Sequence, residues 1–223
     1  MLKKKKYMAA AAAAAVLIAV IVIVWVVIEK KDNEAEEYRC NLGNGIYILS
    51  AGTYTGEFVE DGSDRAVENV WKLQVINTSD KDVQFLKIKA QAEDEEGVFE
   101  ITTLTAGGTV EVLEASGAIY PEEEADAEYQ AENLVFFQEE LSLQKEHLQI
   151  SAQDYWIRVE NTGSQAIEGD VYVYYKNVKE DVFQGGITYR ARLQGGLNPG
   201  EARELEVSHY RADTSKIMYV DYQ

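Results

Sequence analysis

Acid–base or nucleophilic chemistry in this chain would fall to His147, His209, Cys40 or some of its 39 carboxylates, the side chains whose protonation can be tuned near neutral pH. Neither histidine stands in a spacing that such chemistry uses. There is no His-Glu-x-x-His pair, no Gly-x-Ser-x-Gly elbow and no Gly-x-x-x-x-Gly-Lys loop, and Gly43-Asn44-Gly45 is not a dinucleotide turn. Both histidines read as surface residues. No catalytic residue and no cofactor is expected, and the chain is read as a non-enzyme.

The carboxylates cluster in Asp61-Gly62-Ser63-Asp64, Glu93-Asp94-Glu95-Glu96 and Glu122-Glu123-Glu124 with Asp126. Oxygen-rich loops of this kind suit calcium, but none alternates as an EF-hand loop does or closes on its glutamate. Solvated acidic loops are the reading adopted, so no metal ligand is assigned. Two histidines and one cysteine argue against a zinc centre, and a formal net charge of -18 argues against a nucleic-acid surface. Cys40 is either a free thiol or a link between two chains.

The remaining chemistry is recognition. In Val171-Tyr172-Val173-Tyr174-Tyr175 the period of two sends Val171, Val173 and Tyr175 to a core and leaves Tyr172 and Tyr174 outside. Along Ile187 to Leu193, Arg190 and Arg192 share a face in the same way. Tyr172, Tyr174, Arg190 and Arg192 are therefore the candidate binding surface, since exposed Tyr and Arg carry much of the energy at protein interfaces. The same residues also serve as ordinary cross-strand pairs on a wet sheet face. Trp71 and Trp156 are expected to be core residues, Gly185-Gly186 a turn or bulge.

The elements that must position these residues are strands. Apolar residues alternate in Leu73-Val75, Val110-Val112, Ile157-Val159 and Val171-Val173, and the runs are broken by Asn77-Thr78-Ser79-Asp80, Ala106-Gly107-Gly108 and Asn161-Thr162-Gly163-Ser164. The chain also resembles itself. Trp71 to Thr78 matches Tyr155 to Thr162 with Leu73, Val75, Asn77 and Thr78 on Ile157, Val159, Asn161 and Thr162; Leu104 to Gly107 matches Leu197 to Gly200. Asn and Thr at a strand end bond local backbone and start the return strand. An all-β chain of two tandem immunoglobulin-like antiparallel sandwiches is expected, over residues 44–137 and 138–223. Pro121 and the acidic residues after it are read as a loop or a single helical turn across residues 121–131.

Upstream of this head, Met8 to Ile28 carries no charge, follows Lys3, Lys4, Lys5 and Lys6, and precedes Glu29. As a helix it would span about 30 Å, the hydrocarbon thickness of a bilayer. It ends in Val24-Trp25-Val26-Val27-Ile28, too bulky for a signal-peptidase site, so an uncleaved signal-anchor over residues 8–28 is expected. Lys3 to Lys6 are its topology determinants. They hold a basic tail, residues 1–7, in the cytoplasm and send the rest outside the cell membrane. Residues 29–43, rich in acid and poor in apolar residues, read as a stalk.

Ala131-Glu132-Asn133-Leu134-Val135-Phe136-Phe137, Val173-Tyr174-Tyr175-Lys176, Gly185-Gly186-Ile187-Thr188-Tyr189-Arg190 and Leu197-Asn198-Pro199-Gly200-Glu201 give residues 44–223 a resemblance. The chain looks like a group of uncharacterised single-pass membrane proteins of Gram-positive bacteria, whose immunoglobulin-like ectodomains are broadly similar to FxLYD-type domains. The resemblance implies a fold and a location, and no activity. The expected function is that of a membrane-anchored extracytoplasmic interaction or scaffolding protein with a protein partner, favoured if cationic. The alternative is a module binding a cell-envelope glycan through exposed aromatics such as Tyr172 and Tyr174. No nucleic-acid partner is expected.

Overall fold

The computed structural model describes residues 38–222 apart from residue 94 and residues 122–126. The signal-anchor over residues 8–28, Lys3 to Lys6, residues 29–37 of the stalk and the acidic run Glu122 to Asp126 lie outside the described residues. Among the described residues every regular element is a strand, and no helix is long and apolar enough to cross a membrane.

The strands before residue 137 are β1 (Cys40–Gly43), β2 (Ile46–Phe58), β3 (Arg65–Asn77), β4 (Val83–Ala92), β5 (Glu95–Leu104), β6 (Thr109–Leu113) and β7 (Glu128–Phe136). After it come β8 (Leu148–Gln153), β9 (Trp156–Asn161), β10 (Val171–Lys179), β11 (Val182–Leu193), β12 (Ala202–Glu206) and β13 (Ser215–Tyr222). They form a seven-stranded sheet, β1-β2-β3-β6-β11-β10-β13, and two three-stranded sheets, β5-β4-β7 and β12-β9-β8. The chain is therefore all-β with several sheets. All pairings are antiparallel except β6 with β11, where Thr109, Val110 and Glu111 lie beside Val182, Phe183 and Gln184. That parallel seam makes one continuous sheet from strands of both halves of the chain.

Two large cores follow from the alternation, beside a small cluster of Phe58, Val70 and Leu113. The first gathers Ile46, Ile48, Trp71, Leu73, Val75, Leu86, Ile88, Phe99, Ile101 and Val112 with Phe183 and Met218; the second gathers Ile157, Val159, Val171, Val173, Tyr175, Leu193 and Val220. Each fully buried aliphatic side chain contributes about 1.5–3 kcal/mol relative to exposure. On β10, Val171, Val173 and Tyr175 enter the second core, whereas Val178 packs against the first. The two ends of this one strand, separated by a register shift between Tyr175 and Asn177, thus serve two cores.

The matched turns have matched hydrogen bonds. Asn77 and Asn161 are both fully buried. Asn77 Nδ2 donates to the carbonyls of Lys81 and Leu104 (2.8 and 3.2 Å), and Asn161 Nδ2 donates to those of Gln165 and Leu197 (2.8 and 3.0 Å). Each Oδ1 accepts the backbone N–H two residues on, from Ser79 and Gly163. The backbone bonds repeat as well: Asn77 N donates to Gly108 O and accepts at its carbonyl from Gly107 N, as Asn161 does with Glu201 and Gly200. One buried amide thereby closes a strand end in each half.

Three expectations need correction. Cys40–Gly43, read as the end of the stalk, pairs with β2, and Cys40 and Leu42 pack on the first core; two apolar residues were too short a pattern to read. β7 begins at Glu128, inside the stretch read as a loop over residues 121–131, because alternation of Tyr129 and Ala131 toward the core is hidden among acids on the wet side. Trp156 is 39% exposed, although Trp71 is buried at 1%. The match that puts Leu73 on Ile157 puts Lys72, not Trp71, on Trp156, and one position along a strand reverses the face.

Candidate interaction surface

On the long sheet β10 lies between β11 and β13, with Tyr172 opposite Arg192, Tyr174 opposite Arg190 and, on the other side, Tyr174 opposite Tyr219. The four residues expected to form a surface thus share one face as cross-strand neighbours. Tyr172 and Tyr174 are half-buried and both arginines are exposed. Tyr174 stacks on Tyr219 with ring centroids 4.2 Å apart, and Phe137 meets Tyr219 edge-on at 5.6 Å. The Arg190 guanidinium lies over the Tyr172 ring at 5.2 Å.

Asp170 fastens one end of this ladder. Its carboxylate accepts from Arg192 Nε at 2.6 Å and from the Gly195 N–H at 2.9 Å, and those donors hold it below the usual carboxylate range. Arg192 is consequently neutralised and held in place, whereas Arg190 meets an aromatic face and keeps donors for a partner. Sequence alternation located the four residues; it did not show Asp170, Tyr219 or Phe137, which arrive from a loop, the last strand and the segment after β7.

A second constellation was not visible in the sequence. Lys176 follows Tyr175 and by alternation belongs outside, yet it is fully buried. Its Nζ donates to the carbonyls of Thr102 (2.8 Å) on β5 and Gly186 (3.0 Å) on β11. Glu60, from the β2–β3 loop, accepts the Gly186 N–H (2.8 Å) and the Leu113 N–H (2.8 Å). Thr102 Oγ1 also donates to Gly186 O. Gly186 sits where strands press together: a Cβ there would stand 1.8 Å from Glu100 O. Burial pushes the Lys176 ammonium down to about 7 and the Glu60 carboxyl up to about 7, each opposed by the other's charge. The pair knits the two halves beside the β6–β11 seam. The expected bulge at Gly185-Gly186 is the feature that makes room for it, since Tyr175 pairs with Tyr189 and Asn177 with Gln184.

The histidines lie apart from this joint. His209 Nδ1 is 3.2 Å from Asp64 Oδ2, and its ring stacks on Tyr189 at 5.0 Å; the His147 carbonyl accepts from Thr162 N–H. Among the described residues no group of three or more His, Cys, Asp or Glu side chains is placed to hold a metal ion. Cys40 is a half-buried free thiol whose Sγ contacts Tyr129 O at 4.0 Å, and burial pushes its pKa up.

No family model and no curated protein matches the chain. The surface therefore has to be read from its own chemistry.

Proposed function

We propose that this chain is a membrane-anchored interaction protein without catalytic activity, whose head stands outside the cell membrane and presents the β10–β11–β13 face to a protein partner. The observation that carries the reading is the ladder of Tyr172, Tyr174, Tyr219 and Arg190, stacked and braced before any partner arrives. Pre-ordered aromatic and Arg side chains lose little conformational freedom on binding, which is what an interface anchor requires. The signal-anchor expected over residues 8–28 and the four lysines ahead of it support the location. The resemblance to single-pass envelope proteins points the same way. In fold terms the head is read as two immunoglobulin-like units fused through a shared sheet, a reading supported by the paired cores and the repeated Asn turns.

The test is capture from intact membranes with the full-length protein. Tyr174→Ala combined with Arg190→Ala is expected to lower partner recovery at least about tenfold, while added protease removes the head from whole cells. Capture of cytoplasmic proteins alone, or unchanged recovery by the double variant, would count against the reading.

A further inference from the structure

The outer face of the β12-β9-β8 sheet carries an arrangement that neither the ladder nor the core explains. Ile157 and Val159 of β9 turn inward, so Trp156 and Arg158 turn outward. Cross-strand pairing gives Trp156 Gln153 on one side and Glu206 on the other, and Arg158 Ser151 and Glu204. These side chains frame two adjacent rows, with a depression of about 230 Å³ bounded by Ser151, Gln153, Trp156, Arg158 and Glu204. Arg158 Nη1 is held by Glu160 at 2.6 Å, which orients the guanidinium along the sheet. The Trp156 ring, 39% exposed, and Tyr155 beside it, 46% exposed, are the large hydrophobic side chains that this sheet leaves open to solvent.

The adjoining turn holds this face in place. Tyr155 takes a left-handed backbone conformation, φ 68°, uncommon for a non-glycine residue. Its N–H donates to Tyr210 O and its carbonyl accepts from Val207 N–H, while the Arg211 guanidinium lies 3.7 Å above its ring. In the first half the matched residue is Trp71, sealed in the core; in the second half the aromatic is turned out beside Trp156.

We propose that this face is a binding site for a neutral saccharide, distinct from the protein-binding ladder. The Trp156 ring supplies a flat apolar platform for the C–H face of one pyranose ring. Gln153, Ser151, Arg158 and Glu204 supply donors and acceptors around it for hydroxyl groups. The depression is smaller than the roughly 300–1,000 Å³ of a drug-sized pocket, in keeping with one sugar ring seated and its neighbours running across the sheet. Charge argues against an anionic sugar. Glu206 beside Trp156 and Glu204 beside Arg158 oppose an anionic sugar, Arg158 is already paired with Glu160, and the chain as a whole carries -18. A neutral glycan meets neither repulsion.

The test uses the full-length protein in detergent, with chito-, cello- and malto-oligosaccharides as neutral probes and polygalacturonate as the anionic one. At least one neutral series is expected to bind and to change Trp fluorescence; Trp156→Ala should weaken that binding at least about tenfold, with Trp156→Phe intermediate. Glu204→Gln should alter which series is preferred. Tyr174→Ala with Arg190→Ala should leave saccharide binding unchanged, so loss of the protein-binding reading and loss of this one are distinguishable. Because Trp156 stands on the wet face with its ring partly covered, its variants should keep the wild-type circular dichroism spectrum, and binding is compared well below each variant's unfolding temperature. No binding by any neutral series at millimolar concentration, equal binding by Trp156→Ala, a preference for polygalacturonate, or a Trp156-dependent protein partner in its place would overturn the proposal.

Discussion

At the scale of single residues, the two buried asparagines are the clearest test of how the turns are closed. Replacing Asn77 by Ala removes the amide donor to the carbonyls of Lys81 and Leu104, leaving Lys81 O to the Ser79 hydroxyl, and replacing Asn161 removes the amide donor to Gln165 O and one of two donors to Leu197 O, the other being the Ile167 N–H. Each variant is expected to lose about 1–3 kcal/mol of stability. Asn77→Asp should be no better than Asn77→Ala, since it keeps the acceptor for Ser79 and puts an acceptor where the donors were. Thermal unfolding of the full-length protein in detergent measures both. Cys40 offers a second check. Its thiol is half-buried on the first core and its pKa is raised by burial, so less thiolate is present near neutral pH. Slow reaction with a soluble disulfide reagent and a single-chain band on non-reducing gels are expected. A covalent dimer through Cys40 would contradict this.

At the scale of elements, the joint of Lys176, Glu60 and Gly186 decides how β5, β6, β10 and β11 hold together. Lys176 and Glu60 are each bonded to backbone and act on each other by charge without direct contact, so Lys176→Met alone or Glu60→Gln alone is expected to cost about 1–3 kcal/mol, and the double variant less than their sum. The pH dependence follows from the directions of the two shifts. Glu60, raised from 4.5 to about 7, favours the folded state fully below its unfolded value, and that contribution is lost as pH rises through about 7. Lys176, lowered from 10.5 to about 7, favours it fully above its unfolded value, and that contribution is lost as pH falls through about 7. The ionised pair therefore helps least near neutral pH. The double variant should therefore compare most favourably with wild type at about pH 7 and less favourably at about pH 5 and pH 9. A difference that does not change across that range would show that the pair does not titrate with folding. Gly186→Ala should be more damaging than either single change, because the added carbon meets Glu100 O on β5.

At the scale of the whole molecule, charge governs encounter. Residues 29–223 hold all 39 acidic residues, whereas four of the 21 basic ones are Lys3 to Lys6. A field of one sign steers an oppositely charged partner and is screened beyond about 10 Å at 0.1 M salt. Association with a cationic partner at the Tyr–Arg ladder is expected to slow at least about tenfold between roughly 0.05 and 0.5 M salt, with a smaller change in dissociation. Kinetics of captured partner measured across that series check it. Binding of a neutral saccharide at Trp156 should barely respond to the same change.

Alternation alone determined the strand class, the inward set Val171, Val173 and Tyr175, and the shared face of Tyr172, Tyr174, Arg190 and Arg192, because side-chain direction in a strand is a local property of period two. The Asn turns were legible for the same reason: their bonds begin with neighbours in sequence. Three outcomes needed the tertiary structure. Lys176 and Glu60 share Gly186 only because β11 bulges beside β5; the halves share a sheet only because β6 and β11 lie parallel. Trp156 faces outward because the register of β9 places Ile157 in the second core. Each depends on which distant strands meet and in what register, and that choice is made by the packing of the whole chain, which a local pattern does not encode.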